Sequence, residues 1–284
     1  MIRTSLTAAL PLRAALVCLA VLAAGSASAA PASAAPGVGM QMPSAALRIG
    51  ATPVPQAELL QAVAPELKAQ GVNLDVKIFE DYSLPNIAVA RGELDANFFQ
   101  TEPYLWRWRA AHGGPLIVVG RVHVEPMGLY SRKLAGPGAL AKIRDGAVVV
   151  VPSDPANLGR ALFLLQRAQL ITLDPAKGLD ANIGDITENP HHLRIREESP
   201  DKLAGLLGSV DLAAINGNYA LEAKLPASSA LLRESADSPF PNVVVAREDR
   251  ATDPRVVALV AALRGPTARK FMQDKYGGAV VPAQ

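Results

Sequence analysis

Ala147-Val148-Val149-Val150-Val151-Pro152-Ser153-Asp154-Pro155-Ala156-Asn157-Leu158-Gly159-Arg160 reads as a strand running into a helix. An uninterrupted apolar run suits a strand covered on both faces, as in parallel sheets. Asp154 is a good N-cap and Pro155 suits the first helical position, so a helix opens here with its free N–H groups facing outward. Such a terminus attracts anions, and Arg160, within the first two turns, can clamp a carboxylate through two parallel hydrogen bonds. An ordinary capped helix with a solvated arginine has the same pattern, and spacing alone leaves both readings open.

The alternation extends in both directions from this segment. Upstream, apolar runs and alternation predict strands at 47–51, 74–79, 94–98 and 116–124, with helical spacing at 56–70, 84–91 and 103–112. Downstream, the helix opened by Asp154 runs to 168, a second follows at 200–207, strands fall at 212–215 and 242–246, and 254–276 is mostly helix. Strands alternating with helices over this length predict an α/β fold with largely parallel sheets.

The N-terminus sets the compartment. Arg3 and Arg13 bracket a short positive region, and the apolar run that follows is about half the ~20 residues a membrane span needs. Ala27-Ser28-Ala29 offers a small-x-small cleavage site, so 1–29 is expected to be a secretory signal peptide. Residues 30–45, rich in Ala, Pro, Gly and Ser, read as a flexible leader. The single cysteine, Cys18, lies inside the apolar core without the Leu-x-Gly/Ala-Cys context of a lipidation site. The expected mature chain is therefore cysteine-free, without disulfides or lipid anchor, and soluble in the periplasm. Removing Arg3 and Arg13 from the 28 basic residues balances the 26 acidic ones, which argues against a nucleic-acid partner.

Other candidate contacts lie where strands meet helices. Phe99, Gln100, Thr101 and Tyr104 stand where one strand passes into a helix, and Tyr82 sits at a comparable turn. Aromatic and uncharged hydrogen-bonding groups there suit a small amphipathic ligand, because α/β sheets bind at the carboxyl ends of their strands. Core packing is the alternative for each ring. Asn216 and Asn218 follow another apolar strand, and Asn242 follows Ser238-Pro239-Phe240-Pro241. Asparagine offers a donor and an acceptor to a zwitterion, although Asn-Gly is also turn chemistry. His191 and His192 are adjacent and diverge, with His112 and His123 far away, so no metal spacing arises. No Gly-x-Ser-x-Gly nucleophile motif or phosphate loop is present, and the expected mature chain has no cysteine nucleophile and calls for no cofactor.

Several ordered motifs resemble the methionine-binding lipoprotein family of transporter substrate-binding proteins. They are Asp81-Tyr82-x-Leu84-Pro85-Asn86, Asp95-Ala96-Asn97-x-Phe99-Gln100, Pro103-Tyr104-Leu105, Pro152-x-Asp154-Pro155-x-Asn157-Leu158-Gly159-Arg160, Ile215-Asn216, Ser238-Pro239, Arg247-Glu248-Asp249 and Gly277-Gly278-Ala279-Val280. The resemblance implies a two-lobed periplasmic binding protein fold of the type II kind with a two-segment hinge: 46–127 plus 242–284 in one lobe, 128–241 in the other. It implies a monomer that delivers methionine, a related amino acid or a methionine-containing dipeptide to the permease of an ABC importer, without cofactor or metal. By the same resemblance Tyr82, Phe99 and Tyr104 enclose the ligand side chain and Arg160 holds its carboxylate, while Asn157, Asn216 and Asn242 bond its polar end. Thr101 stands where the family commonly carries histidine beside the ligand. The alternative is a periplasmic lyase or hydrolase on the same fold, with Glu102 as its acid or base.

Overall fold

The valine run forms the doubly buried strand that its composition demands. In the computed structural model, which describes residues 45–283, Val149 and Val151 pack into one apolar cluster and Val148 and Val150 into another on the opposite face. The expected signal peptide at 1–29, with Cys18, and all but the last residue of the expected leader at 30–45 lie outside the described residues.

The strands in chain order are β1 Leu47–Ala51, β2 Leu74–Ile78, β3 Ala96–Thr101, β4 Leu116–Val124, β5 Gly128–Tyr130, β6 Val148–Pro152, β7 Thr172–Leu173, β8 Ile186–Glu188, β9 Arg194–Glu198, β10 Leu212–Ile215, β11 Leu232–Arg233, β12 Pro241–Arg247 and β13 Val281–Pro282. The helices are α1 Glu58–Ala69, α2 Pro85–Ala90, α3 Glu102–His112, α4 Pro155–Arg167, α5 Gly217–Glu222, α6 Pro254–Arg264 and α7 Pro266–Tyr276. They build two principal sheets. The first has the order β13-β4-β12-β3-β1-β2 and the second β11-β5-β10-β6-β9, while β7 and β8 form a small separate pair. Helices α1, α6 and α7 cover one face of the first sheet, and α2 and α3 the other. In the second sheet α4 packs on one face while Leu203, Leu207 and Tyr219 fill the other. The result is a two-lobed α/β architecture.

The sheets are mixed, which corrects the expectation of largely parallel pairing. β2, β1 and β3 run parallel, as do β10, β6 and β9. β12 is antiparallel to β3 and β4, and β5 is antiparallel to β10 and β11. β12 and β5 lie beside the two crossings, 125–127 and 234–240, where the chain leaves one sheet for the other and returns, and the short β13 and the β7–β8 pair are antiparallel as well.

Other departures have local causes. The helix expected at 200–207 is a pair of 3-10 turns, Pro200–Lys202 and Ala204–Gly208, in a segment with Gly205 and Gly208. The helix expected over 254–276 divides at Gly265 because Pro266 cannot donate its backbone nitrogen and opens α7 instead. The third strand starts two residues later than expected and extends through Thr101, all of it buried. β5, β7, β8, β9, β11 and β13 were not expected. Most are very short, and β9 is a charged, mainly exposed edge strand without an apolar face.

Gly159 on α4 permits a close approach. A Cβ there would collide with the carbonyl oxygen of Leu179 in the 3-10 turn Gly178–Asp180, which packs against the helix. Gly159→Ala is expected to destabilise the fold by about 1–3 kcal/mol through overpacking, read as a lower urea midpoint at an unchanged slope. An unaltered midpoint would contradict this packing.

Candidate functional site

Turns after parallel strands of both sheets converge on one cavity. The β3–α3 turn supplies Thr101 and Tyr104, β6–α4 supplies Asn157 and Arg160, and β10–α5 supplies Asn216 and Asn218. The loop after β2 adds Tyr82, β3 adds Phe99 and β12 adds Asn242. Every site residue named from the sequence, Tyr82, Phe99, Thr101, Tyr104, Asn157, Arg160, Asn216 and Asn242, lines this space. Gln100, Glu125, Gly217 and Asn218 complete its wall.

One side is aromatic. Tyr82 lies 5.8 Å from Phe99 and 5.7 Å from Tyr104, and Phe99 lies 5.7 Å from Tyr104, ring centroid to centroid. These are tilted or edge-on contacts of the kind favoured by the ring quadrupole. Burial pushes the Tyr82 phenol well up, reinforced by Tyr219 and the carboxylates of Glu125 and Asp154, so the hydroxyl stays protonated. It donates to Asn218 Oδ1 at 2.7 Å, while Tyr104 donates to the Tyr82 carbonyl at 3.2 Å. Tyr219, 5.2 Å from the Tyr82 ring, donates to the Glu80 carbonyl. The Tyr82 and Tyr219 bonds tie the loop after β2 to α5, and so join the two lobes.

The other side is polar. Asp154 caps α4 as expected, accepting from the Asn157 backbone at 2.9 Å and from its side-chain amide at 3.1 Å. Asn157 Oδ1 in turn accepts from Asn216 Nδ2 at 2.8 Å. Asn216 Oδ1 and Asn218 Nδ2 are buried with no partner among the described residues. Arg160 is 3% exposed, which excludes the solvated alternative. Its Nε donates to Glu234 Oε1 at 2.8 Å, and its Nη2 donates to Glu234 Oε2 and to the Glu125 carbonyl at 2.8 Å. Burial opposes the charge on Arg160, and the Glu234 carboxylate together with that of Glu125 outweighs this, so the cation persists. Nη1 takes part in none of these bonds.

Glu125, Gln56 and Glu234 were missed by sequence reasoning. Glu125 Oε1 accepts from Gln56 Nε2 at 2.6 Å and lies 2.5 Å from His123 Nε2. Gln56 also donates to Asn242 Oδ1 at 3.1 Å and accepts from Thr52. His123-Val124-Glu125 carried a usable signal, since i,i+2 residues of extended chain share a face and Glu125 directly follows β4. Glu234 carried none, being one acid in an irregular segment. Gly217 makes room for Glu125, because a Cβ there would lie 2.7 Å from the Glu125 Cβ.

The motif residues Asn86 and Asn97 are absent from the cavity wall and support it from behind. Asn86 exchanges hydrogen bonds of 2.9 and 2.6 Å with Gln100, and Asn97 donates to Asn86 at 2.9 Å, a buried amide network that holds β3 beside Phe99. Thr101, 8% exposed, pairs with Asn242 in the sheet and does not cap α3 through its hydroxyl. Glu102 is not on the cavity wall. It bonds Arg121 at 2.6 Å and faces a separate surface depression.

Residues 47–284 match the family model described as NlpA lipoprotein. A probable D-methionine-binding lipoprotein of Pasteurella multocida is 37% identical over 77% of this chain and 79% of its own length. Among solved structures, a periplasmic substrate-binding protein of an ABC transporter from Coxiella burnetii has a TM-score of 0.79 and 40% identity, covering 84% of this chain and 100% of that one. A nutrient-binding protein of Burkholderia cenocepacia, solved bound to methionine, has a TM-score of 0.80 and 35% identity over the same shares.

Glu222, at the end of α5, carries a buried Oε1 with no partner among the described residues. Burial, helped by Glu80 and Glu125, pushes its carboxyl up to about 7. The folded value lies above the ordinary one, so the stability linked to this group is complete in acid and is lost as pH rises through about 7. Glu222→Gln is therefore expected to raise Tm at about pH 8 and to change it little at about pH 5. Equal shifts at both values would contradict the assignment.

Proposed function

The chain belongs to the NlpA lipoprotein family, and from that premise we propose that it is the substrate-binding protein of an ABC importer, taking methionine, a close relative or a methionine-containing dipeptide into the interlobe cavity. One observation carries the reading. A single small cavity sets three aromatic rings against a buried cation, a carboxylate and unpartnered amide groups, the complement of a zwitterion with an apolar side chain. The ligand carboxylate meets Arg160 Nη1, and Asn157 and Asn242 add polar contacts beside it. The ammonium meets Glu125 and Asn216 Oδ1. The side chain lies among Tyr82, Phe99 and Tyr104, where a polarizable thioether packs well against ring edges, with Thr101 beside them.

Residues 46–127 plus 242–284 form one lobe of this reading and 128–241 the other, moving about the crossings at 125–127 and 234–240. Ligand that bridges the lobes stabilises the closed form, which is what a permease would recognise. The protein acts as a monomer, exported through 1–29. Relatives are named lipoproteins, but Cys18 here lies inside the apolar core, and the protein is proposed to diffuse freely after cleavage. The enzyme alternative finds no support. The relatives named above are binding proteins, and Glu102 is engaged by Arg121 away from the rings.

Calorimetry on unfolded and refolded protein, which strips any carried ligand, should give heat with L-methionine, D-methionine or glycyl-methionine. No heat with any of them would sink the assignment. Arg160→Ala should weaken the ligand that binds by on the order of 2–5 kcal/mol, and an unchanged affinity would remove Arg160 from the site. Cells expressing the full chain with labelled palmitate should yield an unlabelled mature protein. Label that disappears in Cys18→Ser would establish a lipid anchor instead.

A further inference from the structure

We propose that Glu234 is a positioning residue for ligand capture, orienting Arg160 so that Nη1 faces the ligand carboxylate and fastening that orientation to both chain crossings. This rests on the reading of the cavity as an amino-acid site. Glu234 is the first residue after β11, on the return crossing, with its side chain 8% exposed. Its Oε1 takes the Arg160 Nε bond at 2.8 Å, and its Oε2 accepts from Arg160 Nη2, from the Met127 backbone at 2.8 Å and from Ser238 Oγ at 3.4 Å. The Glu234 backbone N–H donates to the Met127 carbonyl at 3.0 Å. One residue of the return crossing is thereby bonded twice to the outgoing crossing.

Arg160 is gripped by the same two segments. The Glu125 carbonyl of the outgoing crossing takes Nη2 at 2.8 Å, and Phe240 of the return crossing lies under the guanidinium, 4.5 Å from ring centroid to its carbon. A guanidinium is planar and its donors form a rigid fork. Fixing the Nε and Nη2 edge therefore fixes where Nη1 points. Glu234 also supplies the compensating charge that keeps a buried cation in place before ligand arrives.

This dual role predicts a reversal of sign. In the wild-type background, Glu234→Gln sets an amide against the guanidinium donors and misdirects Nη1. Without Arg160, the Glu234 carboxylate is an unpaired anion facing the incoming ligand carboxylate, and neutralising it removes a like-charge repulsion. L-methionine affinity is measured by calorimetry on refolded wild type, Glu234→Gln, Arg160→Ala and the double variant, each checked for a cooperative melt. Arg160→Gln replaces Arg160→Ala if the latter does not fold. Glu234→Gln should weaken binding by about tenfold or more alone, as for truncation of a buried charge pair, yet leave binding unchanged or tighter when added to the Arg160 variant. Equal losses in both backgrounds, or no loss in the wild type, would overturn the proposal while leaving the amino-acid site intact. Absence of binding to refolded wild type by every ligand named above would sink that site and the role of Glu234 with it.

Discussion

A guanidinium at 3% exposure cannot stand alone, and the architecture around Arg160 follows from that constraint. Isolated buried charge costs several kcal/mol unless it is paired and fully hydrogen-bonded. Arg160 is paired along its Nε and Nη2 edge with a carboxylate and a carbonyl from the two crossing segments and has an aromatic face beneath it. The helix that carries it opens at a capped turn directly after a buried central strand of its sheet, so the position of the cation is inherited from the core. In the proposed reading, a binding group whose partners lie on the two chain crossings ties ligand capture to lobe geometry without any separate device.

The remainder of the site uses the ordinary economy of α/β sheets. Carboxyl ends of parallel strands leave backbone and short side chains facing a crevice, and here two such edges face each other. Tyr82 and Tyr219 bond across the interface, and Asn216 bonds Asn157 within the second lobe, so the walls are preorganised before any ligand is considered. The amide network of Asn86, Asn97 and Gln100 shows how a polar motif can serve a site it barely enters. It locks β3 in register, and β3 presents Phe99.

How much of this was legible in the chain depended on range. The strand at Val148–Pro152, the Asp154 cap and the helix behind Pro155 follow from local rules, because composition and capping act over a few residues. Residues at the same kind of turn, such as Asn157, Asn216 and Thr101, were therefore found together. Glu234 and Gln56 escaped because their roles arise from partners 74 and 69 positions away, and nothing in their own neighbourhoods marks them. The 3-10 turns at 200–208 differ from the helix expected there because Leu203, Leu206 and Leu207 keep helical spacing while Gly205 and Gly208 weaken the helix, and the charged edge strand β9 escaped because it lacks an apolar period. The antiparallel strands beside the crossings are a property of topology, which strand-by-strand patterning does not contain.

In the proposed function one cavity, built from both lobes, binds a zwitterion by its carboxylate at Arg160 and by its side chain within the aromatic box. A crystal structure of the refolded protein with the tightest-binding methionine ligand tests it most directly. The carboxylate is expected within hydrogen-bond distance of Arg160 Nη1, the ammonium against Glu125 and Asn216, and the thioether enclosed by Tyr82, Phe99 and Tyr104. Ligand bound elsewhere, or in this cavity with its ends exchanged, would contradict it.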